Sequence, residues 1–278
     1  MDDVDLSKFF DRVNYDILID RLKKRIDDSG VIRLIRSYLN SDIMDNGVVQ
    51  ERGEGTPQGS PLSPLLANVM LDEVDKELER RGHRFARYAD DANVYVRSKR
   101  AGERVMTLLR RCYAKLHLMV NEGKSAMASV FGRKFLGYSL WVGRGGEVKR
   151  KAAEKPLQAF KQRIRELTGC SGGRIMSAVV QGLRSYMLGW KGYFQLAQTP
   201  GVWRKIDKWL RHRLRAIQLK HWKRGTTMYR ELLKLEAWPS TAKRVAANSR
   251  HSWHNSDRSL KMVMTISYFD RLGVPRLT

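Results

Sequence analysis

The sequence predicts an α+β fold with an antiparallel sheet, followed by an all-α basic region. Three observations carry this. Short strand-like runs alternate irregularly with helical periodicities over the first part of the chain, the pattern of an α+β domain. Strand signals stop after about Lys151, and long helical stripes replace them. The charge is lopsided: residues 1–140 hold 24 Lys+Arg and 21 Asp+Glu, whereas residues 141–278 hold 29 and 8, within a formal net charge of +24. Self-repulsion at that density destabilises a domain unless a polyanion meets it, so the second part implies a phosphate-bearing partner.

The elements follow in order. Val4-Asp5-Leu6 reads as a short strand. Asn14 to Ile26 and Val31 to Leu39 have helical spacing, and Asp45-Asn46-Gly47 signals a tight turn between two β-runs. After a Gly/Pro-bearing loop from Gly53 to Ser60, Ser63-Pro64 opens a helix, with Ser63 expected as its N-cap and Gly82 as its stop. Arg84–Tyr88 and Ala92–Val96 form a hairpin around Asp90-Asp91, and Ala101 to Leu118 forms a further helix. Short strands are expected at Ser125–Val130, Lys134–Leu140 and Glu147–Lys149. Gly143 to Gly146 is the expected start of a linker, which sets the domains at 1–142 and 143–278. Helices are expected at Lys155–Leu167, Arg174–Leu196, Val202–Trp222 and Met228–Leu235. In the third of these, Trp203, Ile206, Leu210, Leu214 and Ile217 make one apolar stripe, with Arg204, Lys205, Lys208, Arg211 and Arg215 on the remaining surface.

Several classes fall away. With only Cys112 and Cys170 there is no disulfide framework and no Cys-based zinc site, which fits a reducing compartment. No apolar run approaches a membrane span, and no signal-peptide pattern opens the chain. His251 and His254 flank Trp253 without acids at metal-ligand spacing.

The chemistry concentrates on aspartates. Two adjacent like charges at a hairpin tip repel, and a tip ordinarily favours Asn-Gly or Asp-Gly. Asp90-Asp91 is therefore either a solvated turn or half of a divalent-cation site. Asp5 on an apolar strand likewise has to justify its burial. If that strand lies beside the hairpin, three hard oxygen ligands converge, as Mg²⁺ requires for phosphoryl transfer. Asp11 reads as a turn or cap residue. Of the tryptophans interleaved with the basic residues, most read as core, leaving one or two to stack on unpaired bases.

These residues also carry a resemblance. Val4-Asp5-Leu6-Ser7-Lys8-Phe9-Phe10-Asp11 resembles the first palm motif of reverse transcriptases, and Thr56–Pro64 resembles the PQG motif. Tyr88-Ala89-Asp90-Asp91 matches the signature tetrapeptide, Asn121–Ser125 a lysine-bearing motif, and Phe135-Leu136-Gly137-Tyr138 the primer-grip hairpin. With the basic tail, including Gly189–Phe194, the chain resembles bacterial group II intron reverse transcriptase/maturases over nearly its whole length. The resemblance implies a right-hand polymerase palm followed by a helical thumb/maturase domain, and an RNA-directed DNA polymerase that also helps its intron splice. It implies two Mg²⁺ ions held by Asp5, Asp90 and Asp91, with the Leu6 carbonyl completing the shell and Lys124 at the pyrophosphate. It implies Phe10 as a steric gate against the 2′-hydroxyl, Gln58 and Gly59 at the incoming nucleotide, and an RNA surface on Arg204, Lys205, Lys208, Arg211 and Arg215. The implied partners are group II intron RNA, an RNA template with a DNA primer, and deoxynucleoside triphosphates, in the bacterial cytoplasm and without a membrane.

The family has a fingers region before the first palm motif, and many members carry a C-terminal endonuclease domain. Met1 stands close before Asp5 and the sequence stops at Thr278, so the expectation is a chain lacking most of the fingers and the endonuclease. Such a chain would extend primers poorly, and the alternative reading is a non-catalytic RNA-binding maturase remnant.

Overall fold

The computed structural model describes all residues except 42, 46–47, 51–53, 57–60, 170–172 and 258–259, and only the backbone at 43–45, 48–50 and 257. The chain forms two compact units, Met1–Arg133 and Lys134–Thr278.

The first unit runs β1 (Asp2–Val4), α1 (Tyr15–Lys23), α2 (Ser29–Leu39), β2 (Ile43–Asp45), β3 (Val48–Gln50), α3 (Ser63–Arg80), β4 (Arg84–Tyr88), β5 (Asp91–Tyr95), α4 (Lys99–Lys115) and β6 (Ala126–Met127). A sheet of order β4-β5-β1-β6 is antiparallel throughout, with Val4 opposite Ala92 and Tyr88 opposite Asp91. One face carries Val4, Ala92 and Val94 into a core built with Leu18, Leu66, Met70, Leu109 and Tyr113 from the helices. Local chemistry sets the helix starts. The Asn14, Asp28 and Ser98 side chains each accept an orphan backbone N–H at the head of α1, α2 and α4. Helix α3 departs from expectation: Leu62 occupies the cap without a side-chain bond, and Ser63 is buried as the first helical residue. Gly82, at φ +72, ends α3 as expected, and the following His83 N–H returns to the Leu78 carbonyl.

The second unit begins with a three-stranded antiparallel sheet, β7 (Lys134–Phe135), β8 (Tyr138–Val142) and β9 (Val148–Ala152). Helices α5 (Glu154–Leu167), α6 (Met176–Tyr193), α7 (Pro200–Trp222), α8 (Gly225–Lys234), α9 (Pro239–Ala247), α10 (Ser252–Asp257) and α11 (Ile266–Arg271) follow. The sequence pattern does not signal the last three. They are short, and tertiary packing stabilises them more than propensity does. The unit's core centres on Phe160, Leu183, Leu210, Leu214, Leu232 and Phe269. Two expectations are corrected here. Gly143–Gly146 is not a linker but the turn between β8 and β9, closed by Gly143 N–H to the Glu147 carbonyl. The units accordingly divide at 133/134 rather than 142/143. The physical reason is that the Leu136-Gly137 turn belongs to the helical unit. The Tyr193 hydroxyl donates to the Leu136 carbonyl at 3.0 Å, and the Tyr138 hydroxyl donates to the Tyr193 carbonyl.

Candidate active site

The strand register brings the acids together. Asp5 directly follows Val4, and Asp91 directly precedes its partner Ala92, so the two stand at the same end of neighbouring strands on the face opposite the core. Asp5 lies just past the end of β1 rather than within it. Its backbone is held from the 119–125 segment: its N–H donates to Ser125 Oγ at 3.1 Å, and its carbonyl accepts the Asn121 N–H at 2.9 Å. That segment carries Lys124, whose Nζ lies 3.7 Å from Asp5 Oδ1. Asp5 Oδ1 is buried and has no hydrogen-bond partner.

The hairpin differs from expectation by one residue. Ala89 and Asp90 form its turn, and Asp91 opens β5 opposite Tyr88. Ala89 has φ +52, a left-handed conformation unusual for a residue with a Cβ. Burial holds the Asp90 carboxyl above the ordinary range, with the Asp5 charge adding to the rise and Lys124 opposing it. Burial also raises Asp91, reinforced by Asp90, Asp5 and Asp3 and again opposed by Lys124. Four acids thus crowd one end of the sheet, and charge repulsion among them favours a cation.

The Asp5 oxygen that accepts no hydrogen bond and the mutually repelling Asp90 and Asp91 are hard ligands of the kind Mg²⁺ takes. They do not form a closed cage: among the described residues no group of three or more His, Cys, Asp or Glu is arranged to hold an ion by itself. Mg²⁺ usually keeps several waters and substrate oxygens, so an incomplete protein cage suits it.

Other expected site residues divide. Leu6 is buried and bridges to Val120 beside Asp5. Phe10 packs edge-on to buried Phe9 at 5.1 Å, and its carbonyl accepts the Thr56 N–H at 2.6 Å. Gly55, which sequence reasoning passed over, makes that contact possible. It has φ +94, and a Cβ there would lie 2.9 Å from the Phe10 carbonyl oxygen. Gln58 and Gly59 lie outside the described residues, as does Cys170. Phe135, Leu136, Gly137 and Tyr138 form the β7–β8 turn of the second unit, and Gly137 lies against the Phe194 ring.

Of the basic residues on α7, Arg204, Lys205 and Lys208 are exposed and Arg211 is half-buried. Lys205, Lys208 and Arg211 line a groove of about 730 Å³ together with Trp209, His212 and Lys261. Arg215 is a correction. It is 5 % exposed, its guanidinium donates to the Met264 and Ser256 carbonyls, and it lies over the Phe269 ring. It lies off the apolar stripe, but the C-terminal half of α7 is buried on most sides, so its guanidinium is held between helices. Trp209 borders this groove and a second one, with Arg165 and Arg213 within 6 Å of its ring. Trp203 is core as expected, whereas Trp238 and Trp253 are exposed.

Residues 2–140 match the reverse transcriptase (RNA-dependent DNA polymerase) family, and residues 157–238 match the group II intron maturase-specific domain. Protein YkfC of Escherichia coli K12 is 38 % identical over 77 residues, 28 % of this chain and 20 % of that protein. The group II intron-encoded protein LtrA of Lactococcus lactis subsp. cremoris is 38 % identical over 72 residues, 26 % of this chain and 12 % of that protein. These matches span at most a fifth of the relatives' length. An apo telomerase from Candida Tropicalis aligns with all of this chain and 53 % of its own, at 12 % identity and a TM-score of 0.48. The chain belongs to the reverse transcriptase family, in its group II intron reverse transcriptase/maturase branch.

Proposed function

We propose that this chain performs RNA-directed DNA synthesis at Asp5, Asp90 and Asp91, and that its helical unit binds group II intron RNA and assists splicing. The observation that carries the polymerase reading is the convergence of Asp5 and Asp91 from neighbouring antiparallel strands, with a buried Asp5 oxygen that accepts no hydrogen bond and faces only the Lys124 charge. In this reading the three carboxylates and the Leu6 carbonyl hold two Mg²⁺ ions. Bound ions would activate the primer hydroxyl and neutralise charge on the transferring phosphoryl group. Lys124, kept beside Asp5 by the 119–125 segment, supplies a positive charge or proton to the departing pyrophosphate. Phe10 bars a 2′-hydroxyl, Gln58 and Gly59 support the incoming deoxynucleotide, and the Phe135–Tyr138 turn grips the primer.

Lys205, Lys208 and Arg211 form the phosphate-binding surface for RNA, together with Arg204 outside the groove. Trp209 offers a ring on which an unpaired base can stack. A cytoplasmic setting belongs to the same reading. Among the described residues no helix is long and apolar enough to cross a membrane.

The test is primer extension on an RNA template with deoxynucleotides and Mg²⁺. Slow extension by the wild type, and a further loss of about 10³-fold or more in Asp90→Asn, are expected, the latter as for removal of a charge-stabilising group at a reacting centre. RNA binding with no extension by the wild type would overturn the polymerase reading and leave the RNA-binding one standing.

A further inference from the structure

The turn that presents Asp90 is held from behind by one guanidinium. Arg87 stands on β4 opposite Ala92, and Ala92 stands opposite Val4, so its side chain leaves the sheet on the core face, away from Asp5 and Asp91. There it meets α3. Nε donates to Asp75 Oδ1 at 2.9 Å, Nη2 donates to Asp75 Oδ2, and Nη1 donates to Asn68 Oδ1 at 2.9 Å. Asn68 and Asp75 lie two helical turns apart on α3, hence on one face of it. The same Nη1 reaches the Ala89 carbonyl at 3.0 Å.

Ala89 is the residue at φ +52. A two-residue hairpin turn needs a positive φ, which glycine supplies freely and alanine only at a conformational cost. The bond from Arg87 fixes the peptide plane between Ala89 and Asp90, the plane from which the Asp90 side chain departs. The Arg87 side chain is 10 % exposed, so little solvent competes for these bonds. The bidentate fork is rigid in a way a lysine ammonium could not match.

We propose that Arg87, clamped by Asp75 and Asn68, is a positioning residue that locks Ala89 in the left-handed conformation and thereby sets Asp90 relative to Asp5 and Asp91. Its functional consequence rests on the reading of those acids as the ion site; its structural content does not.

The test separates the two. Amide hydrogen exchange of residues 88–92 reads the turn, and Mn²⁺ titration of the full chain reads the acids. Arg87→Gln is expected to speed exchange in the turn at least tenfold beyond any rise elsewhere, and to weaken Mn²⁺ binding at least fivefold. Adding Ala89→Gly, which removes the cost of the positive φ, should return Mn²⁺ affinity to within threefold of wild type. A merely structural loss would not be repaired by that glycine. If Arg87→Gln leaves Asp75 uncompensated and the chain misfolds, Asp75→Asn/Arg87→Gln removes both charges and is read in the same way. Turn exchange within twofold of wild type, or no rescue by Ala89→Gly, would overturn the proposal. Failure of the wild type to bind Mn²⁺ would sink the ion-site reading alone, and the exchange arm would then decide the clamp.

Discussion

Single residues set the limits of this site. Phe10 is half-buried, and its ring packs on Phe9. Replacing it with alanine should open space beneath the sugar and raise ribonucleotide incorporation at least tenfold relative to deoxynucleotide, as read by competitive single-nucleotide extension. Gly55 is constrained twice, by φ +94 and by the Phe10 carbonyl. Gly55→Ala should cost roughly 2–3 kcal/mol in a denaturant melt, since the left-handed backbone and the overlap both oppose a Cβ. Asp2 is wholly buried on β1, neither of its oxygens accepts a hydrogen bond, and burial raises its pKa against the opposing charges of the N-terminus and His83. The sign follows: the folded state holds the proton more tightly, so Asp2 is tolerated at low pH. Its penalty grows as pH rises from the unfolded carboxylate range through the raised folded value. Asp2→Val should therefore stabilise the first unit by about 1 kcal/mol at neutral pH and less in acid. Equal shifts at both pH values would refute this account.

At the level of elements, pairing and packing make the site. Sequence reading found the β4–β5 hairpin, the α3 and α4 helices and the acids, because each has a local signal. It placed Asp90 and Asp91 together at the tip because nothing local shows that Ala89 takes the left-handed position. It also passed over Arg87 and Asp75, whose pairing exists only once strand alternation and the α3 face bring them together. On α7 the apolar stripe was legible, but Asp207 within it was not. Asp207 is 2 % exposed and accepts the Leu277 and Thr278 N–H groups and the Thr278 hydroxyl. Asp207→Ala would strand those donors, and a loss of about 1–3 kcal/mol in the helical unit is expected from its melt. An unchanged midpoint would mean that the contacts carry no net stability.

Across the whole molecule, the charge is unevenly distributed, and the proposed RNA binding follows from that excess. RNA affinity should fall steeply with salt, and Lys205→Gln and Lys208→Gln should each lower the log–log slope by about one, the signature of a lost phosphate contact. Arg215→Gln should instead lower stability while leaving the slope unchanged, since its guanidinium is bound inside the fold. The sequence by itself determined the family, the α+β and helical halves, the three acids and the excess of positive charge in the second half. Motif order, periodicity and net charge are properties of the chain that survive without coordinates. Tertiary structure alone decided that Asp5 and Asp91 stand at one end of neighbouring strands, that Arg215 is buried between helices, that Gly143–Gly146 is a hairpin turn, and that Arg87 grips the Ala89 carbonyl. Those facts depend on register and on contacts between residues far apart in sequence, and a local pattern carries no information about either.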